Sequence, residues 1–203
     1  MKSLIKGVAQ VTFLILVFIP AALTGFGRSK SAFTFFAHLF ALGPGLLGDY
    51  LRSAYYHLTL TSCALSSRIS FGAFFAHPQA SVGEKVYIGP YCVFGRAEIG
   101  DHCQIATGVQ ILSGNQQHVR DEAGRISGAE QGEHRTVRVG SDCWIGAAAI
   151  IMAEVGAGST IGAGSVVTRE IPPGSVAVGS PARVVPQGVS QVVAQTSESR
   201  AAD

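Results

Sequence analysis

Charge is scarce in this chain. Only 14% of its 203 residues are Asp, Glu, Lys or Arg, against 47% that are hydrophobic, a balance that points to a membrane-associated part. The net charge is +2 and no long basic run occurs, which argues against a nucleic-acid partner. The four cysteines include no Cys-x-x-Cys pair and the six histidines no His-x4-His pair, so familiar metal-ligand spacings are missing and nothing requires an oxidising compartment. The length allows one domain plus an extra segment, with no room for a second catalytic domain.

What charge there is lies unevenly. Residues 1–60 carry Lys2, Lys6, Arg28, Lys30 and Arg52 against Asp49 alone, a net +4, while the remainder is −2. No charge interrupts Gly7 to Gly27, a run long enough to cross a bilayer as a helix. Basic residues at both ends of that run fit a segment that dips into the membrane around Pro20 and returns, with a single crossing as the alternative. A second stretch, Phe33 to Leu42, is helical but too short to span, and stops near Gly43-Pro44-Gly45. Asp49 to Leu60 reads as a packed connecting helix, with Tyr55, Tyr56 and Leu58 available for contact. We therefore expect a membrane-associated helical segment over 1–60. The basic start, apolar run and Ala21-Ala22 also suit a cleaved signal peptide.

From Val82 onward the sequence repeats in sixes. Val82, Ile88, Phe94, Ile99, Ile105, Ile111, then Val139, Ile145, Ile151, Val155, Ile161 and Val167 are branched aliphatic or Phe, and all but Ile111, Ile151 and Val167 are followed by Gly or Ala. Four residues after most anchors stands a small residue: Val86, Cys92, Cys103, Val109, Cys143, Ala149, Ser159 or Ser165. A stack of short parallel strands that turns a corner every six residues has just this narrow interior. The fold expected is an all-β solenoid over 61–186, with shortened corners at Phe94 to Ile99 and Ile151 to Val155. The glycines after the anchors suit corners with unusual backbone angles. Cys92, Cys103 and Cys143 occupy the small inward slot as compact hydrophobes, whereas Cys63 precedes the repeats and carries no signal.

The register breaks between Ile111 and Val139, giving a polar excursion over 113–136. A rigid scaffold holding an irregular loop is where chemistry is to be sought. This one carries His118 and His134. Trp144, the only Trp, falls just before an anchor and should face outward, toward the excursion. Past Val185 the composition turns to Gln, Ser, Ala and Glu, which reads as a disordered tail over 187–203.

The run Ile161-Gly162-Ala163-Gly164-Ser165-Val166-Val167-Thr168, then Ile171-Pro172-Pro173-Gly174 and Gly179-Ser180-Pro181-Ala182-Arg183, with Trp144-Ile145-Gly146, closely resembles the C-terminal signature of the hexapeptide-repeat O-acetyltransferases, in the branch of galactoside, maltose and colanic-acid enzymes. Ile69 to Pro78 is similar to membrane-linked polysaccharide acetyltransferases. The resemblance covers about residues 64–186 and implies a left-handed parallel β-helix, a homotrimer, and active sites in grooves between subunits. It implies acetyl-CoA as co-substrate, with no permanently bound cofactor and no metal. Trp144 would pack near the acetyl end, Gly146 and Ala147 would border the thioester, Ala163 and Thr168 would line the pantetheine path, and Arg169 and Arg183 would approach the phosphates.

The family uses a histidine of the excursion as general base, and His118 matches best, with His134 as the substitute. In galactoside and maltose enzymes the His directly follows the Gly of a Ser/Thr-Gly motif, a place held here by Asn115. The function expected is acetyl transfer to a sugar hydroxyl of a surface polysaccharide or lipopolysaccharide precursor, at the cytoplasmic face of the inner membrane, with residues 1–48 on the membrane surface. Acetyl-CoA is a cytosolic donor, which speaks against the signal peptide. Two alternatives stand beside this: a catalytically silent or glycan-binding β-helix scaffold, and a zinc carbonic-anhydrase-like enzyme that would need His77, His102 and His118 to converge.

Overall fold

The computed structural model describes residues 2–114, 120, 122–126 and 134–186, with side chains from residue 7 onward. His118, most of the excursion and the 187–203 tail lie outside the described residues.

Three parallel sheets close a triangular prism of about five turns. The first face holds β1 (Ser62–Cys63), β4 (Ser81–Val82), β7 (Ala97–Ile99) and β10 (Val137–Val139). The second holds β2 (Arg68–Ile69), β5 (Tyr87–Ile88), β8 (Gln104–Ile105), β11 (Trp144–Ile145), β13 (Thr160–Ile161) and β15 (Val176–Val178), closed by β16 (Arg183–Val184) running antiparallel. The third holds β3 (Phe74–Phe75), β6 (Val93–Phe94), β9 (Gln110–Ile111), β12 (Ile150–Ile151) and β14 (Val166–Val167). Strands fall in register, so that Ile88, Ile105, Ile145 and Ile161 stack in one column. None of the twelve anchors is more than 3% exposed, and each contributes about 1.5–3 kcal/mol of burial.

The register starts earlier than the hexads suggest. Cys63 pairs with Val82 and is 3% exposed, so it is the first anchor of the stack, followed by Ile69 and Phe75. A seven-residue step from Phe75 to Val82 hides this continuation. Burial pushes the Cys63 thiol up to about 12. The other thiols do more than fill space: Cys92, Cys103 and Cys143 lie 3.1, 3.0 and 3.2 Å from the carbonyls of Ala106, Gly140 and Gly156 in the next coil. Ser159 donates to Pro172 at 3.0 Å in the same manner, which explains why small polar residues serve this slot.

The glycines after the anchors have a different cause from the one expected. A Cβ at Gly146 would stand 2.5 Å from the Ala163 nitrogen, with no unusual φ at the glycine itself. Close approach of neighbouring coils excludes the side chain. The left-handed backbone lies three residues past the anchor instead, at Lys85, Tyr91, His102, Asp142 and Ala148 among others.

Three helices cap the first coil: α1 (Lys2–Leu23), α2 (Lys30–Ala41) and α3 (Gly45–Thr59). One face of α1 is committed to protein. Gln10 donates to the Leu65 carbonyl at 2.8 Å, Phe13 stacks on Tyr50 at 5.5 Å, and Val17 and Ala21 are buried. Pro20 lies inside α1, and the chain reverses later, at Gly25–Gly27 where all three φ are positive. The Gly7 to Gly27 run is thus divided between a helix and a turn, and among the described residues no helix is long and apolar enough to cross a membrane.

Arg52 joins the cap to the prism. Its side chain is fully buried and donates to the carbonyls of Ile69, Phe40 and Gly43 at 2.8, 2.9 and 2.7 Å, and to the Asp49 carboxylate at 2.6 Å. The second Asp49 oxygen accepts from Arg68 at 2.7 Å. Arg52 is therefore an internal cation and adds nothing to the positive surface that the N-terminal charge count suggests.

Candidate active site

The excursion leaves the edge between the third and first faces, and its stem is clamped. Ser113 is buried; its hydroxyl accepts the Arg96 N–H at 2.9 Å and its carbonyl accepts the Arg135 N–H at 3.0 Å. Within the described part of the loop, Arg120 and Ile126 bridge antiparallel and the Arg120 guanidinium donates to the Gly124 carbonyl at 2.6 Å.

His134 stands at the foot of this loop. Its carbonyl accepts from the Arg96 guanidinium at 3.3 Å, and its ring lies 5.4 Å from that of His77 at 51°. Burial, then the charges of Lys30, His134 and Arg96, lower the His77 imidazole to about 4, so it is neutral at physiological pH. Arg96 had no part in the sequence-based site, and His77 entered only as a zinc ligand of the carbonic-anhydrase alternative. A signal for them exists: His77, Arg96 and Ser113 each lie two residues past an anchor, Phe75, Phe94 and Ile111, and so occupy one step of three successive coils. Extending the register back to Phe75 exposes it.

The residues expected to face acetyl-CoA fall into two groups. Trp144 projects from the second face, 57% exposed. Gly146, Ala147 and Ala163 line the edge between the second and third faces, with Arg183 exposed on β16, its guanidinium 2.9 Å from the Ala182 carbonyl. Gly146 is held by the ladder, donating to Ile161 at 2.8 Å, while the Ala147 and Ala163 amides take no part in that ladder among the described residues. Thr168 and the exposed Arg169 instead follow β14, on the edge that carries the excursion.

Trp144 on β11 belongs to the second face, whereas the described stem of the excursion, at Ser113 and Arg135, springs from the edge between the third and first faces. His77 and His102 do not converge. His77 follows the third face, while His102 lies between the first and second, 3.8 Å from the Asp142 carboxylate. Among the described residues no three His, Cys, Asp or Glu side chains are grouped to hold a metal ion.

The bacterial transferase hexapeptide family (six repeats) matches residues 79–113, and the hexapeptide repeat of succinyl-transferase matches 136–169. The two flank the excursion. Both matches are to hexapeptide-repeat transferase models, and together they take in the coils on either side of it. Nodulation protein L of Rhizobium meliloti (strain 1021) is 42% identical over 109 residues, 51% of this chain and 57% of that protein. Nodulation protein L of Rhizobium leguminosarum bv. viciae is 44% identical over 108 residues, 51% of this chain and 55% of that one. The chain thus spans little more than half the length of these curated relatives. Among solved structures, a maltose O-acetyltransferase from Clostridium difficile 630 is 27% identical with a TM-score of 0.65, over 81% of this chain and 89% of that one. A galactoside acetyltransferase in complex with coenzyme A shares the fold at 20% identity and a TM-score of 0.61, over 80% and 82%.

Proposed function

We propose that this hexapeptide-repeat protein is an acetyl-CoA-dependent O-acetyltransferase acting on a sugar hydroxyl of a surface polysaccharide or lipopolysaccharide precursor. The observation that carries the reading is the similarity to the maltose O-acetyltransferase over 89% of its length. The C-terminal signature from Ile161 to Arg183 and the outward Trp144 support it.

The reading takes the chain as a homotrimer of left-handed β-helices. The division of candidate residues supports this, since Trp144, Gly146, Ala147, Ala163 and Arg183 lie on one side of the prism and the excursion, Thr168 and Arg169 on another. A groove between protomers unites the second face of one with the loop-bearing edge of its neighbour. In that groove the amides of Ala147 and Ala163, which the ladder does not use, offer donors to a thioester and its pantetheine arm. Arg169 and Arg183 offer planar forks suited to phosphate oxygens.

His118 is assigned as general base. Its imidazole takes the proton from the acceptor hydroxyl as that oxygen bonds to the thioester carbonyl carbon. The carbon–sulfur bond then breaks and the thiolate leaves with the proton returned by the imidazolium, giving an O-acetyl sugar and free CoA. His134, packed against His77 and Arg96 at the loop stem, is placed to shape the acceptor side.

Residues 1–48 are assigned to the membrane surface on the cytoplasmic side of the inner membrane. The outer side of the cap supports this assignment. Val11, Ile15, Phe18, Ile19, Leu39 and Leu42 are each at least half exposed, an apolar area of the sort that lies in a lipid interface.

Release of free thiol from acetyl-CoA in the presence of oligosaccharide acceptors tests the reading. His118→Ala should lower kcat by about 10²–10⁴-fold. Near-normal turnover in that variant, with loss in His134→Ala, transfers the base role to His134. If no acceptor releases thiol, a silent or glycan-binding scaffold replaces the enzyme.

A further inference from the structure

The turn between α1 and α2 presents an aromatic residue where the backbone resists one. Phe26 sits between Gly25 and Gly27 with φ +54°, the left-handed region that few residues other than glycine adopt. Its side chain gains little burial in return: it is 48% exposed and meets Phe18, itself 54% exposed, edge to face at 5.9 Å. The turn is nevertheless firmly tied. The buried Thr24 hydroxyl donates to the Ala21 carbonyl at 2.6 Å and accepts the Gly27 N–H at 3.2 Å, while the Phe26 and Ser29 amides donate to Ala21 and Thr24 at 2.8 and 2.9 Å. A strained ring held outward by a rigid turn points to a contact beyond this chain.

The surroundings of the turn say what that contact is. Leu23 before it and Arg28 and Lys30 after it are exposed, and no acidic residue occurs among residues 1–48. Aromatic rings beside cations alone suit a bilayer interface, where rings settle at headgroup level and Lys and Arg meet anionic lipid. The turn is also seated on the edge that bears the excursion. A Cβ at Gly27 would collide with the Thr59 carbonyl and stand 3.1 Å from the Pro78 side chain. Pro78 lies between β3 and β4, on the edge between the third and first faces, and its carbonyl accepts the Thr61 N–H at 3.1 Å. Arg96 follows on the next coil of that edge and Ser113 on the one after. With coils about 4.8 Å apart, the seat of the turn is about 10 Å from the stem of the excursion.

We propose that Phe18, Phe26, Arg28 and Lys30 dock this turn on an anionic lipid surface, and that the excursion acts on a sugar carried by a lipid in that same surface. The second half rests on the transferase reading, which puts the acceptor at the excursion. It narrows the acceptor to a glycan held beside the headgroups by its own anchor, and it makes the cap a determinant of specificity.

NMR of the full chain on phosphatidylglycerol bilayers with spin-labelled headgroups tests the docking without catalysis. Amide signals of Phe26, Gly27 and His77 should broaden, and those of Gly174 and Val176, at the far end of the prism, should not. Broadening that is equal at both ends or stronger at the far end overturns the proposal. Arg28→Gln and Lys30→Gln should each weaken vesicle binding about fivefold. Phe26→Gly, which the left-handed backbone accommodates, should weaken it while the chain stays folded. Undiminished binding in all three variants, or equal affinity for phosphatidylcholine vesicles, overturns the docking. Thiol release from acetyl-CoA then separates the acceptor claim from the transferase reading. Glucosyl and galactosyl diacylglycerol in those bilayers should be acetylated about tenfold faster than the matching methyl glycosides at equal concentration, through raised effective concentration, and Arg28→Gln should slow only the lipid-borne reaction. Methyl glycosides acetylated as fast or faster sink the lipid-borne acceptor and leave the transferase standing. Docking with no acetylation of either form leaves the docked turn standing and sinks the transferase reading together with the acceptor claim.

Discussion

The prism and its helical cap are both rich in apolar residues, yet they dispose of them differently. Among the described residues the cap leaves thirteen large hydrophobic side chains exposed between Val8 and Leu47, and everything beyond it only five: Tyr91, Ile126, Trp144, Val178 and Val184. A coil of the prism has a defined inside, and each anchor enters it. The helices have two apolar sides, of which the solenoid can cover only one. The prism turns nearly all of its apolar side chains inward, whereas the cap leaves one side of its helices exposed, and Arg52 holds the two together.

Arg52→Met should produce the largest change. It leaves the carbonyls of Phe40, Gly43 and Ile69 and part of Asp49 without their buried donor, at a cost of about 3–5 kcal/mol. Hydrogen exchange should show protection lost in α2 and α3 and kept in the central strands; loss throughout would mean that cap and prism are not separable. Ile105→Ala, in the middle of the second face, should cost about 2–5 kcal/mol in chemical denaturation. Its effect should spread to neighbouring coils, since Ile105 pairs with both Ile88 and Ile145.

The exposed side of the cap invites the opposite result. Replacing Val11, Ile15 and Ile19 together by Gln should change stability by no more than about 0.5 kcal/mol per site but abolish sedimentation with anionic vesicles. Unchanged vesicle binding would remove the lipid surface from the account of residues 1–48.

The smallest expected effect concerns acid. His77 is held near 4 in the folded chain against the ordinary 6.5 of a histidine, by burial and by Lys30, His134 and Arg96. The unfolded chain therefore binds the proton more readily, and the stability contributed by neutral His77 is complete above pH 6.5 and lost as pH falls toward 4. The unfolding midpoint of His77→Gln should fall less over that window than that of the parent.

The twelve anchors and both shortened corners were legible because each coil repeats one local rule, inward aliphatic and inward small residue, whatever its neighbours do. Cys63, Ile69 and Phe75 escaped since the step from Phe75 to Val82 is a residue too long and a cysteine stands where an aliphatic is usual. The glycine pattern was visible, but its cause was not: the clash of a Cβ with the next coil depends on stacking distance, a property of pairs of coils rather than of one. Trp144 was correctly placed outside the core, while its position relative to the stem of the loop depends on which face each strand joins. The Arg52 hub drew on carbonyls from Phe40 to Ile69, and no spacing rule announces a partner of that kind.

The clasp at Ser113 and Arg135 has a bearing on how such a protein changes over generations. Because the chain departs and re-enters through adjacent backbone groups, what hangs between them is a cartridge whose length hardly strains the stack, each doubling adding only about 0.6 kcal/mol of closure entropy. New chemistry could be tried by exchanging that cartridge while the prism, its anchors untouched, went on folding as before.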